Sequence, residues 1–312
     1  RGIMVSEEEI LVTLGAQNAL YLLASLLVTR ETVVAIEEPG YPDVRNIVRL
    51  RTSQVRPIEV DHEGLAVDAR LAQCDVVFTT PSHQFPTTVT MPRARRRALL
   101  DAARAHDLVI VEDDYEFETN YAGSPCPALK SMDAEDRVIY VGSLSKTLFP
   151  GLRMGFLVAP KALVSELRAL RRLMIRHAPN NNQRAVALFL SLGYHDALIG
   201  RLERAYRVRW EEMRDALATH MPGSSRMPTF GGSSYWVTGP RGLDSDALAA
   251  EALRAGIIIE PGRIYFNDNS RPSRHFRLGF SSIDSKMIEP GIFRIAALID
   301  AQVARKGDAG AR

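Results

Sequence analysis

The first half of the chain alternates short apolar runs with amphipathic stretches. Apolar runs bounded by polar residues, glycine or proline predict β-strands, and apolar residues at helical spacing predict helices. Strands are predicted at Ile10–Leu14, Thr32–Glu38, 54–60, 74–80, 108–114, 136–143 and 154–160, and helices at Ala16–Val28 and 92–107. This alternation indicates an α/β fold with a mostly parallel sheet covered on both faces and joined by right-handed crossovers.

The second half has a different pattern. Residues 161 to about 221 are nearly all helical, with one predicted interruption at 177–182, HAPNNN. A Gly/Ser patch at 230–237 follows, then a helix near 243–255, strands at 256–261 and 275–281, and a last helix. This order predicts a smaller α+β lobe.

Composition narrows the function classes. The 312 residues are 46% hydrophobic and 24% charged with a net charge of +2, which is a soluble globular composition without a global field for nucleic acid. No run of 18 apolar residues predicts a membrane span. Cys74 and Cys126 have no metal-ligand spacing and predict free thiols in a reducing, cytoplasmic compartment. A capping pattern, Ser6 with Glu9, follows Arg1 almost at once, so we expect preceding residues in the natural protein.

One lysine has serine and arginine neighbours in the sequence that suit a ligand site. Lys146 follows a predicted strand, at the sheet edge where open α/β sheets bind ligands. A lysine there serves as a Schiff base with an aldehyde cofactor. Ser143 and Ser145 offer hydroxyls for a phosphate, and Arg153 offers a bidentate guanidinium. The alternative for a lone loop lysine is a solvated surface residue.

A carboxylate ends the neighbouring apolar strand. Asp113 suits a pyridine nitrogen, because a facing carboxylate keeps such a ring protonated and makes it an electron sink. Tyr115 points to the same side by strand periodicity if the strand continues, and its hydroxyl then meets the phenolic oxygen of the ring. Period two places Asp114 on the opposite face. The alternative is an acidic strand end that faces water.

Four motifs carry a family resemblance that covers nearly the whole chain: EPGYPD (38–43), TTPSHQFPT (79–87), VEDDYEFE (111–118) and GSLSKTLFPGLRMGFLV (142–158). They resemble the aminotransferase-like domain of the MocR subfamily of GntR-type transcriptional regulators, which has the fold-type I pyridoxal-phosphate fold. The resemblance implies pyridoxal 5′-phosphate on Lys146 as an internal aldimine. It also implies Asp113 at the pyridine nitrogen, Tyr115 at the phenolic oxygen, and Ser143 and Arg153 at the phosphate.

Further roles follow from the same resemblance. The turn at Gly15 and Ala16 presents backbone amides to phosphate, Tyr41 stacks on the ring, and Arg277 holds an effector carboxylate. His83 is a further cofactor-site candidate. The alternatives are a packed loop aromatic for Tyr41, a surface strand residue for Arg277 and a satisfied loop histidine for His83. The run Arg93–Arg97 is interpreted as a solvated helix face rather than a DNA patch.

The resemblance also implies a domain plan and an assembly. A large cofactor-binding lobe is expected at 1–170 with its N-terminal part missing, connecting helices at 171–205 and a small lobe at 206–312. Such proteins are homodimers with sites at the interface. The partner tyrosine that reaches phosphate falls before Arg1, so the site of this chain is expected to be incomplete. The stretch Pro179–Arg184 is interpreted as a loop facing the partner's site.

Three function classes remain open. Many aminotransferases have Asn-Pro-Thr-Gly where this chain has Phe85 to Thr88, which predicts weak or no transamination. The first hypothesis is therefore an effector-sensing regulator domain, in which an amino compound forms an external aldimine and a DNA-binding domain outside this chain responds. The second is a free-standing aminotransferase, and a structural dimer module without cofactor is a third.

The effector must carry a primary amine. Arg277 suits a carboxylate or a sulfonate. Asp43 either attracts a second cationic group or caps the helix that starts near Val44. A diaminobutyrate derived from ectoine breakdown is the first candidate, and taurine and γ-aminobutyrate follow.

Overall fold

The structure is a computed structural model that describes residues 1–120, 126–225, 231–270 and 272–310. Contacts divide the chain into two compact units. The first contains Arg1–Phe85, Val89–Glu118 and the stretch that ends at Gly200, and the second contains Pro86–Thr88 and most of the chain from Arg201 onward. The three-part division at 1–170, 171–205 and 206–312 stays a prediction.

An eight-stranded sheet forms the centre of the first unit. Its strands are β1 (Ile10–Thr13), β2 (Val34–Glu38), β3 (Val55–Asp61), β4 (Gly64–Leu65), β5 (Val76–Thr79), β6 (Val109–Asp114), β7 (Val138–Ser143) and β8 (Gly155–Val158). Their order is β1-β8-β7-β6-β5-β2-β3-β4. Five neighbouring strands run parallel to one another, in the order β7-β6-β5-β2-β3. Strands β1, β8 and β4 pair antiparallel with their neighbours. The predicted mostly parallel sheet is confirmed.

Helices cover both faces of this sheet. They are α1 (Gly15–Leu27), α2 (Pro42–Arg49), α3 (Arg93–His106), α4 (Leu129–Met132), α5 (Lys161–Ile175) and α6 (Asn180–Ser191). Successive strand residues point to opposite faces, so Val111 packs in the core with α1, α2 and α5, whereas Ile110 packs in the core with α3. Burial on both faces explains why these strands are apolar throughout.

The predicted interruption at 177–182 is partly wrong. Pro179 is the N-cap of α6, and the helix begins at Asn180, so the interpretation of Pro179–Arg184 as a loop is also wrong. Three asparagines lower helix propensity by only a few tenths of a kcal/mol each. Later in α6, Val186 is buried against Leu152 and Met154, and this packing outweighs the poor propensity.

The second unit is a small α+β assembly. Helix α7 (Tyr194–His220) begins in the first unit and supplies most of its length to the second, where α8 (Ser245–Arg254) and α9 (Ile288–Gly310) follow. Strands β9 (Ser234–Thr238), β10 (Glu260–Pro261) and β11 (His275–Gly279) form an antiparallel sheet in the order β10-β11-β9. The strand predicted at 256–261 is thus reduced to two residues. The smaller α+β lobe is confirmed.

Helix length and apolar composition bear on membrane crossing in the described part of the chain. There, no single helix has both the length and the apolar composition of a membrane span, and only α6 and α7 taken together, bent by 79°, meet that test.

Candidate active site

Lys146 lies in the turn that follows β7, beside the end of β6. These two strands are parallel neighbours, with Asp113 opposite Val141. The Lys146 Nζ lies 4.5 Å from the centre of the Tyr115 ring and 3.9 Å from Glu116 Oε1. The lysine side chain is 45% exposed, whereas that of Glu116 is 3% exposed. An accessible amine therefore meets buried polar groups at the carboxyl ends of two strands, where α/β sheets bind ligands.

Asp113 is a buried carboxylate with an unsatisfied oxygen. Its Oδ1 has no hydrogen-bond partner among the described residues. Burial, and after it the nearby charge of Asp114, raises the pKa of Asp113 to about 7, and Lys146 opposes the shift. A buried carboxyl without a partner is unfavourable unless a ligand supplies one. This side chain is therefore suited to a cationic or protonated ring nitrogen.

Asp114 has a different set of partners. Its Oδ2 accepts hydrogen bonds from Arg1 Nε at 2.8 Å and from the Tyr140 hydroxyl at 2.9 Å. The two adjacent aspartates therefore have separate surroundings, as alternation along a strand requires. The strand does not continue to Tyr115, because β6 ends at Asp114. The periodicity argument fails for Tyr115, and the turn after β6, not the strand, places its ring beside Lys146.

The predicted anion turn is built from closely packed backbone. Gly15 opens α1 with φ +76°, a conformation that L side chains rarely adopt. A Cβ on Gly155 would lie 2.6 Å from the Gly15 carbonyl carbon and 2.8 Å from the Ala16 nitrogen. Strand β8 thus touches the start of α1, where backbone amides and the helix dipole favour an anion. The Arg153 guanidinium lies there too, 3.4 Å from the Leu14 carbonyl oxygen.

The two predicted serines differ in their contacts. Ser143 ends β7, and its hydroxyl accepts from the Ser145 amide at 3.3 Å. The Ser145 hydroxyl donates to the Met154 carbonyl and accepts from the Met154 amide, at 3.3 and 3.2 Å. Ser145 therefore ties the turn after β7 to β8 and holds Lys146 in place from one residue away.

Three aromatic rings form a wall in this unit. The Phe85 ring contacts Tyr41 and Tyr115 edge to face, with centroids 5.3 and 5.8 Å apart. The Tyr41 hydroxyl donates to Gln17 Oε1 at 3.0 Å and to Asp43 Oδ2 at 3.1 Å. Burial, followed by the charge of Asp43, raises the pKa of Tyr41. Tyr41 is therefore fixed in orientation by polar contacts as well as by packing.

Asp43 does not cap a helix. Helix α2 begins at Pro42 with Tyr41 as N-cap, and no side chain caps it. The predicted capping role near Val44 is wrong, since Asp43 lies inside the first turn. Its carboxylate accepts from Tyr41 and from Gln17 Nε2 at 3.1 Å. The same contacts direct this carboxylate toward Tyr41.

His83 is deeply buried in the loop after β5. It is 3% exposed, and its Nδ1 has no partner among the described residues. Burial lowers the pKa of His83, and the charges of Glu116 and Asp114 only partly oppose this. The histidine is therefore neutral at neutral pH and lies within electrostatic range of the Lys146 turn.

A buried network around Glu37 was missed by sequence reasoning. The Glu37 carboxylate accepts from Thr79 Oγ1, from the amide and hydroxyl of Thr80, and from Gln84 Nε2, at 2.6–3.0 Å. Gln84 also donates to the carbonyls of Pro39 and Phe85. This network fixes the loop that carries His83 and Phe85. Glu37 lies in the EPGYPD-containing segment, but its residue type alone does not distinguish it from the adjacent Glu38.

Arg96 corrects the interpretation of the run Arg93–Arg97. Arg96 is fully buried, so that helix face is not wholly solvated. Its guanidinium donates to the carbonyls of Met91, Pro81 and Pro127 at 2.8–3.1 Å, and Nη1 lies 3.6 Å from Glu112 Oε1. Arg96 therefore holds the two ends of the His83 loop against α3.

Arg277 lies in the second unit, on β11. It is 8% exposed, and its Nη1 donates to Glu260 Oε1 at 2.7 Å, across the pairing of β10 with β11. It is thus a buried strand residue rather than the surface residue of the alternative interpretation. The two cysteines are free thiols in the structure, as the sequence predicts. Cys74 is buried and Cys126 is partly buried.

The chain is similar in sequence to known proteins. The profile of the family described as aminotransferase class I and II matches residues 2–295. The HTH-type transcriptional regulator TauR of Rhodobacter capsulatus is 46% identical over 297 residues, which are 95% of this chain and 61% of the regulator. The probable rhizopine catabolism regulatory protein MocR of Rhizobium meliloti is 32% identical and covers 94% of this chain and 59% of its own length.

A solved structure has the same fold. Kynurenine aminotransferase of Pyrococcus horikoshii, crystallised with PMP, superposes with a TM-score of 0.90 at 30% identity, over 96% of this chain and 76% of that one. The chain spans about 60% of the length of the two regulators. The fold-type I expectation is confirmed.

The residues present fit the cofactor of this fold, pyridoxal 5′-phosphate. Asp113 has an unsatisfied buried oxygen that suits a ring nitrogen, and the N-terminal amides of α1 at Gly15 suit a phosphate. A Cβ on Gly155 would collide with the backbone of this turn, so the close approach of β8 requires glycine. The individual cofactor roles of these side chains stay predictions. The chain belongs to the aminotransferase class I and II family of pyridoxal-phosphate proteins, and its resemblance to the aminotransferase-like domain of MocR-type regulators is confirmed.

Proposed function

We propose that this chain is the amine-sensing domain of a MocR-type transcriptional regulator. The observation that carries the proposal is the unsatisfied, buried Asp113 carboxylate beside the Lys146 amine, at the ends of adjacent parallel strands. When bound, pyridoxal phosphate supplies an aldehyde carbon that reacts reversibly with primary amines. Lys146 holds the cofactor through its amine, and a primary amine of the effector takes the place of that lysine.

The other roles follow from position. Asp113 pairs with the ring nitrogen, and Tyr115, next to the lysine amine, binds the phenolic oxygen. Tyr41 packs on the ring from α2. The amides of Gly15 and Ala16 bind the phosphate together with Arg153 and Ser143. Ser145 and His83 are proposed as further cofactor-site residues: the Ser145 hydroxyl is bonded to Met154 in the lysine turn, and His83 is buried in the loop after β5.

Two residues favour a sensor over an efficient enzyme. Phe85 stands where many aminotransferases have the asparagine that steadies the phenolic oxygen, and its ring is packed against Tyr41 and Tyr115. Thr88 stands at the glycine position of the same motif and has φ +61°, which is unusual for a threonine. An aromatic ring cannot donate the missing amide hydrogen bond, so the loop supports retention of an amine better than turnover.

The relatives support the same choice. Both regulators named above are longer than this chain, which leaves room for a DNA-binding segment outside it. In this proposal the DNA contact is made by that segment, and effector binding changes its equilibrium. The alternative, a free-standing aminotransferase, is supported by the likeness to the Pyrococcus enzyme at 30% identity.

The effector is proposed by chemistry. It carries a primary amine, and Arg277 offers a buried guanidinium for a carboxylate or sulfonate. Asp43 is less suited to a second cationic group than its position in the sequence suggested, because its carboxylate already accepts from Tyr41 and Gln17. A diaminobutyrate derivative, taurine and γ-aminobutyrate are the candidates.

The direct test is a titration of cofactor-loaded protein with these three amines. We expect a saturable change in the near-visible absorbance with at least one of them. With a 2-oxo acid added as amino acceptor, we expect amino transfer from these amines well below about 1 per second. Glycine and its N,N-dimethyl derivative form a control pair, since the tertiary amine cannot replace Lys146. Steady turnover at ordinary enzyme rates would establish the aminotransferase alternative instead.

A homodimer is part of the proposal. Helix α6 and the turn to α7 expose a set of large apolar side chains, and α5 adds another: Leu173, Leu188, Leu190, Leu192 and Tyr194, exposed by 47–85%. Clusters of exposed large apolar side chains are candidate interaction surfaces. Because the family resemblance implies a dimer, a second copy of this chain is the proposed partner of that surface.

Substitution Leu190→Lys tests the dimer. A lysine ammonium in an apolar interface must be desolvated, so we expect self-association to weaken about fivefold to tenfold. Sedimentation velocity over a concentration series measures this. Leu50→Lys is the matched control, since Leu50 is 71% exposed at the end of α2. Equal effects of the two variants, or none from Leu190→Lys, would contradict an interface on α6.

A further inference from the structure

Glu116 is a buried acid beside the reactive lysine. It follows Tyr115 directly in the turn after β6, and 4% of the residue is exposed. Its Oε1 lies 3.9 Å from Lys146 Nζ, while the Tyr115 ring centre lies 4.5 Å from the same nitrogen. The Glu116 carboxylate and the Tyr115 ring are thus near neighbours of the lysine ammonium, and both favour a positive charge.

Neighbouring groups leave this pairing intact. His83 is buried, and its lowered pKa keeps it neutral near Glu116 at neutral pH. The Arg1 guanidinium is engaged by Asp114, Ser82 and the Cys126 carbonyl. Asp113 is the acid suited to the cofactor ring. Glu116 is therefore placed to serve the lysine itself.

We infer that Glu116 is the counter-ion that receives the Lys146 ammonium when an effector amine takes the place of this lysine. The inference rests on the proposed function and deepens it. In the exchange, the C=N bond to the lysine nitrogen breaks and a C=N bond to the effector nitrogen forms. With both C=N nitrogens unprotonated, the three protons of the effector ammonium pass to the lysine nitrogen, so no other reactant is needed.

Glu116 stabilises Lys146 mainly in the effector-bound state. While Lys146 is bonded to the cofactor, its nitrogen is not a free ammonium and gains less from Glu116. After exchange, the ammonium remains in a partly buried site, and a carboxylate 3.9 Å away stabilises it. Glu116 is therefore a positioning residue that favours the effector-bound state and sets the affinity for amines of every side-chain type.

The experiment uses the cofactor-loaded chain and glycine, an amine without a side chain to recognise. We expect Glu116→Gln to raise the apparent dissociation constant of glycine about fivefold, as loss of a partly exposed charge pair predicts, and to leave cofactor retention unchanged. Glu118→Gln is the matched control, because the Glu118 carboxylate is hydrogen-bonded to Thr147 and lies 4.0 Å from His195, whereas the ion pair of Lys146 among the described residues is with Glu116. It should leave glycine binding unchanged.

A double-mutant cycle separates this role from a structural one. In a Lys146→Ala background no lysine ammonium is released, so Glu116→Gln should no longer affect glycine binding. The same fold-change in both backgrounds, an unchanged affinity in Glu116→Gln alone, or an equal effect from Glu118→Gln would overturn the inference while the proposed function stands. Failure of glycine and all three candidate amines to displace Lys146 in the wild type would overturn both.

Discussion

Replacement of Lys146 by alanine is expected to abolish covalent attachment of pyridoxal phosphate. The Lys146 amine is the nucleophile at the ends of β6 and β7, and alanine has no group that bonds to the aldehyde. The reconstituted variant should lack the near-visible band of the lysine-linked cofactor. After borohydride reduction, intact-mass and peptide mapping should find no phosphopyridoxyl group on the chain.

Lys161→Ala is the matched control for this variant. Lys161 is an exposed lysine at the start of α5 that pairs with Glu8 at the surface. This control should keep both the absorbance band and the reduced adduct. A Lys146→Ala protein that kept the same band and the same adduct would show that another residue carries the cofactor.

Replacement of Asp113 by alanine should weaken cofactor binding about tenfold to a hundredfold, because a charge-assisted hydrogen bond to the ring nitrogen contributes about 1.5–3 kcal/mol. Asp114→Ala should have a smaller effect on the cofactor and a larger effect on folding, since it leaves Arg1 and Tyr140 without their shared acceptor. Dialysis of loaded protein against buffer measures the first effect, and denaturant unfolding measures the second. The reverse order of cofactor loss would show that the two aspartates have exchanged roles.

Cofactor-free protein offers a further check on Asp113. Its pKa of about 7 in the folded protein lies above the usual value near 3.8, so the folded state holds a proton that the unfolded state has released. The contribution of Asp113 to stability therefore falls as the pH rises from about 4 to about 7. We expect Asp113→Asn to gain stability relative to wild type across that window. A constant difference between the two proteins would argue against a buried, uncompensated carboxyl.

The sheet and the lysine could be read from the sequence because each depends on local pattern. Apolar runs marked most of the buried strands of the large sheet, and Asp113 and Lys146 were predicted at its edge because one stands at the end of such a run and the other follows one. Tyr115 was predicted to share the Asp113 side of a continuing strand, but β6 ends at Asp114, and the turn after it places the Tyr115 ring beside Lys146.

The features that the sequence analysis did not predict depend on tertiary contacts. Arg96 looks like its neighbours in a basic run, and only the distant carbonyls of Met91, Pro81 and Pro127 make its burial favourable. The Glu37 network joins residues up to 47 positions apart. Asp43 had the residue type of a cap, but Pro42 had already started the helix one residue earlier.

The contact between Gly155 and the Gly15 turn has a consequence for the timing of entropy loss. The turn that opens α1 takes its shape from the backbone of β8, so its φ and ψ angles are fixed as part of folding the sheet. Fixing a backbone residue costs about 1–2 kcal/mol, and here that loss occurs when the domain folds. In the proposed phosphate role of this turn, the anion therefore meets preorganised amides, and little of its binding free energy is spent on ordering the turn.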